Sequence, residues 1–198
     1  MWLGSLKVLK SSPKGGKNRA AIIINNNEAD VMTIAQGSQE DAILTEIRYK
    51  GLSLYGASLY NPFDRDIVRD IETIENILQL TKGEGLILAS DSNARSKLWF
   101  DKHTNARERT MGEYILTRDL HIINTETGIP SFETNRGPSW IDLTLCNSQL
   151  TQNTKRWTCG EEESCADHKI ICFDIESRDP GIYDQHFIWK RYNTKVDN

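Results

Sequence analysis

A chain of 198 residues, 38% of them hydrophobic, can bury one sizeable core and leaves little for a second, so one domain is expected. No apolar run approaches the roughly 18 residues of a membrane helix, and the opening MWLGSLKVLKSSPKGGKNR lacks the apolar centre and cleavage site of a secretory leader. An intracellular chain with no membrane partner is the expectation, and a net charge of −4 argues against nucleic-acid binding through bulk charge, though not through a local basic rim.

Lysines and arginines gather first at Lys7, Lys10, Lys14, Lys17 and Arg19, a pattern that usually marks a solvated surface. The β-branched run AAIIIN at 20–25 predicts a strand, DVMTIA at 30–35 and AILTEIRY at 42–49 predict two more, and LSLYGASLY at 52–60 follows after Gly51. These closely spaced runs read as a meander. The period then changes: Ile67, Ile71, Ile74 and Leu78 share one face of a predicted helix over 64–81, with Asp64 as its N-cap after Pro62 and Gly83 beyond its end.

LILAS at 86–90 has the unbroken apolar character of a central strand covered on both faces. A second basic group, Lys102, Arg107 and Arg109, precedes Thr110 and Glu113, whose capping-box spacing predicts a helix over 111–120. The remainder reads as strands at 121–124, 131–134, 140–146, 154–159 and 168–175, followed from Ser177 by a tail without sustained period. Strands interrupted by two helices predict an α/β fold, a layered sheet core flanked by helices. The domain is expected over 1–176, with 177–198 as a tail or linker.

Cys146, Cys159, Cys165 and Cys172 contain no CxxC pair and are expected as free thiols; a zinc site from Cys159, Cys165 and His168 would lack a fourth ligand. The acidic residues are more informative. Asp91 with Asn93 follows one predicted strand, Asp142 lies in another, and Asp167 with His168 opens a third. An Asp alone at a strand end is ordinarily a turn or cap residue. Three of them with an Asn and a His match the needs of metal-assisted phosphoester hydrolysis, in which carboxylates supply hard oxygen ligands for Mg²⁺ and an amide holds a phosphoryl oxygen or a water without adding charge. A histidine fixed by a buried carboxylate can then donate a proton. Asp142 is the expected partner of His168, and Asp91 the expected positioner or base for the attacking water.

In order and spacing, LASDSNARSKLW (88–99), GPSWIDLTL (137–145) and SCADHKII (164–171) resemble the last three blocks of the endonuclease/exonuclease/phosphatase family of Mg²⁺-dependent phosphoesterases. The flavour is that of the endonuclease domain of LINE-type (non-LTR) retrotransposons: Ser139 to Thr144 read Ser-x-Ile-Asp-Leu-Thr, and Asp91, Asn93 and Ala94 are followed closely by Trp99. SLYNPF at 58–63 is similar to the family's strand ending in Tyr and Pro, which would bring Tyr60 to the phosphate; as a residue read alone, Tyr60 is equally a packing group.

The resemblance implies a DNase I-like four-layer α/β sandwich, two packed mixed sheets flanked by helices. It implies Asp91 and Asn93 as nucleophile-positioning and phosphate-contacting residues, Asp142 as orienting residue, Asp167 beside the metal or water, and His168 at the transition state. Tyr60, Asn93 and Ser139 would meet substrate, and Asp167 with Asp91 would hold Mg²⁺ or Mn²⁺. The implied activity is nicking of double-stranded DNA for target-primed reverse transcription, in the nucleus, beside a downstream reverse transcriptase domain.

Two blocks depart from the pattern. Ala166 stands where the family has a serine, and the opening Asn strand and Gln-Glu strand, whose glutamate is the family's main metal ligand, have no counterpart; Glu40 and Glu46 are poor substitutes. The sequence therefore reads as truncated at its N-terminus, missing the first strands, and weak nicking and weak Mg²⁺ binding are expected. A phosphatase acting on a small phosphoester, or a non-catalytic nucleic-acid-binding remnant, are the alternatives.

Overall fold

In the computed structural model, residues 6–11, 18–160 and 167–176 are described. The chain opens with β1 (Lys7–Lys10), an alternating KVLK segment not foreseen as a strand, which pairs antiparallel with β2 (Ala21–Ile24). Thus β2 leaves the expected meander for a hairpin of its own. β3 (Asp30–Thr33), β4 (Ala42–Tyr49) and β5 (Leu52–Tyr60) then follow one another antiparallel.

Helix α1 (Ile67–Thr81) crosses over to β6 (Leu86–Asp91), which lies parallel to β5, the connection that a parallel pair requires. α1 begins at Ile67 and not at 64, because Asp66, not Asp64, is the cap: its carboxylate accepts from the Val68 N–H at 3.0 Å. Arg65 is drawn instead into Asp41 and the fully buried Asp70, whose carboxylate also meets Arg107.

Helix α2 (Ala106–Thr117) starts five residues earlier than its expected start at 111. Asn105 caps it, its side-chain oxygen accepting from the Glu108 N–H at 3.2 Å, so Thr110 and Glu113 fall inside the helix and form no capping box. β7 is only His121–Ile122. Beyond it the Ile123 N–H still donates to the Thr144 carbonyl, and then the Asn124 side chain takes over, donating to the Asp142 carbonyl at 2.9 Å and accepting from the Thr144 N–H at 2.8 Å.

The predicted strand at 140–146 shortens to β10 (Asp142–Cys146), and ahead of it an unforeseen β9 (Gly137–Ser139) forms a hairpin with β8 (Phe132–Thr134). Between β9 and β10 the Trp140 N–H is taken by Asp101 and the Ile141 carbonyl by Ser92, so no ladder runs through them. β11 (Thr154–Cys159) pairs with β12 (Ile171–Ile175). His168, expected inside that last strand, stands before it in a lone bridge to Phe132.

The central sheet has the order β3-β4-β5-β6-β10-β7. Its strands have two dry faces. Leu44, Leu59, Leu86, Leu88, Leu143 and Leu145 pack toward Ile74 and Ile77 of α1 and Met111 and Ile115 of α2. On the other face Ile47, Leu54, Ile87 and Cys146 pack against Trp157, Phe173 and Ile175 of the β11-β12 hairpin, while Ile22 of the β1-β2 hairpin covers Ile43. Among the described residues the second layer is thus made of two antiparallel strand pairs. Among the described residues no helix is long and apolar enough to cross a membrane.

Candidate active site

Three neighbouring strands end at one rim of the sheet, and each places a polar side chain there. Tyr60, last in β5, lies in register with Asp91, last in β6, and Asp91 in turn faces Asp142, first in β10. Because side chains alternate along a strand, Asp91 shares the face of Ile87, Asp142 that of Cys146 and Tyr60 that of Leu54, all of them on the hairpin side. The apolar positions behind them set this register; a slip of one residue would turn the carboxylates into the helix layer.

His168 approaches from that opposite layer. Its ring rests on Phe132, the centroids 4.6 Å apart, and is 6% exposed. Nδ1 lies 2.8 Å from Asp142 Oδ2, and since an ionised carboxylate only accepts, Nδ1 carries a proton. Nε2 consequently faces Asp91, at 3.6 Å from Oδ2. The imidazole is bracketed by two carboxylates, one bonded and one just beyond hydrogen-bond distance.

The site residues from the sequence fall around this axis. Asn93 follows β6 with a left-handed φ of 48°, a conformation that Asn tolerates better than most residues, and its amide donates to the Asn61 carbonyl at 3.0 Å. Burial and the nearby Asp91 carboxylate push the Tyr60 phenol above its ordinary value, so it remains a neutral hydroxyl donor; the Arg19 guanidinium lies 5.7 Å over its ring. Asp167 is half-buried, and its carbonyl accepts from the Glu133 N–H at 2.9 Å. Ser139 is buried opposite Phe132, the residue under the His168 ring, in the β8-β9 hairpin. Ala166 and Cys165 lie outside the described residues.

Sequence reasoning missed the residues that hold Asp142. The Ser131 hydroxyl accepts from the Asp142 N–H at 3.2 Å while Asn124 bonds the Asp142 carbonyl. Phe132 supports the imidazole. Asn124 leaves only the signal of a polar residue closing a short apolar run, and Ser131 and Phe132 only that of a short strand's start, patterns too common to single them out.

Of the zinc alternative's donors Cys165 lies outside the described residues, burial and then the Asp142 carboxylate push the Cys159 thiol up to about 12, and Asp142 engages His168 Nδ1. Among the described residues no three of His, Cys, Asp and Glu gather as an ion cage. Mg²⁺, however, is commonly taken by one or two carboxylates and completed by waters and substrate phosphate oxygens. Asp91 and Asp167 are hard donors suited to that mode. Glu40 and Glu46 are engaged elsewhere, with Arg19 and Arg48 respectively.

A family model described as endonuclease-reverse transcriptase matches residues 54–172, more than half of the chain and all of the rim. The chain belongs to the endonuclease-reverse transcriptase family. It is 29% identical over 160 residues to a retrovirus-related Pol polyprotein from the type-1 retrotransposable element R1 of Bradysia coprophila, an alignment covering 77% of this chain and 16% of that protein. The chain thus spans about a sixth of the length of the curated relative. Among solved structures it resembles the endonuclease domain of TRAS1, a telomere-specific non-LTR retrotransposon, with a TM-score of 0.82 and 27% identity over 88% of this chain and 81% of that one. The AP endonuclease of Leishmania major, at 13% identity, TM-score 0.63 and coverage of 83% and 68%, shares the fold. In this family member the expected DNase I-like fold is therefore present, built on the mixed six-stranded sheet and its two helices.

Proposed function

We propose that the chain is the endonuclease domain of a retrotransposon polyprotein and that it nicks double-stranded DNA by hydrolysing one phosphodiester. The observation that carries this reading is the Asp142–His168–Asp91 line at the sheet rim, next to a neutral Tyr60 hydroxyl and the Asn93 amide. The names of the relatives, a Pol polyprotein and a retrotransposon endonuclease domain, support it.

In this mechanism Asp91 orients a water and accepts its proton as the oxygen attacks phosphorus. Carboxylates on both sides complement an imidazolium, and His168 donates from Nε2 to a nonbridging or the leaving oxygen, with Asp142 holding the ring. Tyr60 and Asn93 fix the phosphate. The P–O3′ bond breaks, leaving a 5′-phosphate and a 3′-hydroxyl of the kind that primes reverse transcription by a downstream domain. Mg²⁺ on Asp91 and Asp167, completed by the scissile phosphate, would neutralise charge that builds on the phosphoryl group. Acting on chromosomal DNA, the protein would work in the nucleus.

The test is nicking of supercoiled plasmid under single-turnover conditions, with Mg²⁺ and with EDTA. His168→Ala and Asp91→Ala are expected to abolish nicking while circular dichroism stays native, and EDTA is expected to do the same. Undiminished nicking by either variant would refute the assignment.

A further inference from the structure

Asn93 does not hold its own conformation. Its left-handed turn is fixed from two directions by asparagines. The Asn105 side-chain amide donates to the Asn93 carbonyl at 3.1 Å, and the Asn93 amide donates to the Asn61 carbonyl at 3.0 Å. The Asn61 N–H then donates to the Asp91 carbonyl at 2.9 Å. Three asparagines in succession tie the first turn of α2 to the end of β6, where the rim carboxylate sits.

Asn105 is the anchor of this series because its other bonds are already determined. Its side-chain oxygen accepts from the Arg95 N–H at 3.1 Å and from the Glu108 N–H at 3.2 Å, and its own N–H donates to the Arg95 carbonyl at 3.1 Å. With oxygen and backbone so occupied, the Nδ2 group can point only toward Asn93. An Asp at 105 would cap α2 equally well, yet it could not donate to a carbonyl.

We infer that Asn105 is a positioning residue for catalysis, its cap oxygen serving the fold and its amide donor setting the Asn93 turn that meets the phosphate. The inference rests on the proposed nuclease reading only for its kinetic consequence; the geometric consequence stands apart from it. Residues that orient a reacting group without touching substrate commonly change activity by about 10- to 100-fold.

The experiment compares the full chain with Asn105→Asp, and with Asn105→Ser should the first variant fail to fold. By NMR, the Asn93 side-chain amide resonances should shift while the α2 backbone amides beyond its first turn keep theirs. In plasmid nicking, kcat should fall about 10- to 100-fold at unchanged KM. Added to Asn93→Ala, Asn105→Asp should cause little further loss, because both act through one group. Unmoved Asn93 resonances, or losses that multiply in the double variant, would overturn the inference. Absence of nicking by the wild type counts against the nuclease reading alone, and the resonances then decide the role of Asn105.

Discussion

A carboxylate buried as deeply as Asp142, 3% exposed, needs compensation at every lone pair it presents. It receives the Nδ1–H of His168, while Ser131 and Asn124 satisfy the backbone on either side of it. The compensation has a direction: the charge on Asp142 selects the tautomer that leaves Nε2 toward Asp91. Asp142→Asn keeps the volume and can offer an NH₂ where the oxygen was, so Nδ1 would lose its proton and the ring its orientation. Nicking is expected to fall by about 10²-fold or more, in kcat and not in KM, with native circular dichroism. Single-turnover rates across a substrate series measure this, and a loss of only a few-fold would show that the tautomer is immaterial. These charged residues were legible in the sequence because three ordered blocks carry them. Ser131, Phe132 and Asn124 were not, since their roles come from contacts between distant segments and no local pattern records them.

At the scale of elements, legibility followed the strength of the local signal. β4 and β5 agree with the sequence reading residue for residue, as alternating or continuous apolar runs bounded by Gly51 and Asn61. The start of α2 was misplaced because Thr110 and Glu113 have the spacing of a capping box, whereas Asn105 caps with support from Arg95, in a loop whose shape only tertiary contacts define.

That loop has its own electrostatic clasp. Burial alone would raise the Asp101 carboxyl, but the Arg95 guanidinium and the N–H groups of Trp140 and His103 bring it below its ordinary value. The Arg95 fork meets it at 2.9 and 3.0 Å. A carboxyl depressed in the folded state contributes stability that is present above its unfolded pKa and lost as pH falls through the folded one. Asp101→Asn should therefore cost on the order of 1–3 kcal/mol at neutral pH. The difference in Tm between variant and wild type should close below the usual carboxylate range. A difference that stays constant into acid would mean that packing, not charge, holds the loop.

The whole molecule is a sheet with two dry faces, and only one of them carries the site. His168 stands just before β12, whose Phe173 is buried against the central sheet, while Asp142 and Asp91 belong to that sheet itself. The distance between His168 and its carboxylates is thus a distance between layers. On the far face, Ile77 of α1 packs on the same sheet, on the side away from the rim carboxylates. Truncating either side chain to Ala leaves a cavity: about 3–5 kcal/mol for Phe173 and about 2–5 for Ile77, both large against a typical domain stability of about 5–15 kcal/mol. The functional consequences should differ despite the similar cost. Phe173→Ala loosens the hairpin layer, so nicking per folded molecule should fall with stability; Ile77→Ala should unfold more readily yet nick at the wild-type rate when folded. Urea denaturation gives the folded fraction and single-turnover nicking gives the rate at each fraction. Equal losses per folded molecule in the two variants would mean that the layers move as one body and that the site does not depend on the hairpin face in particular.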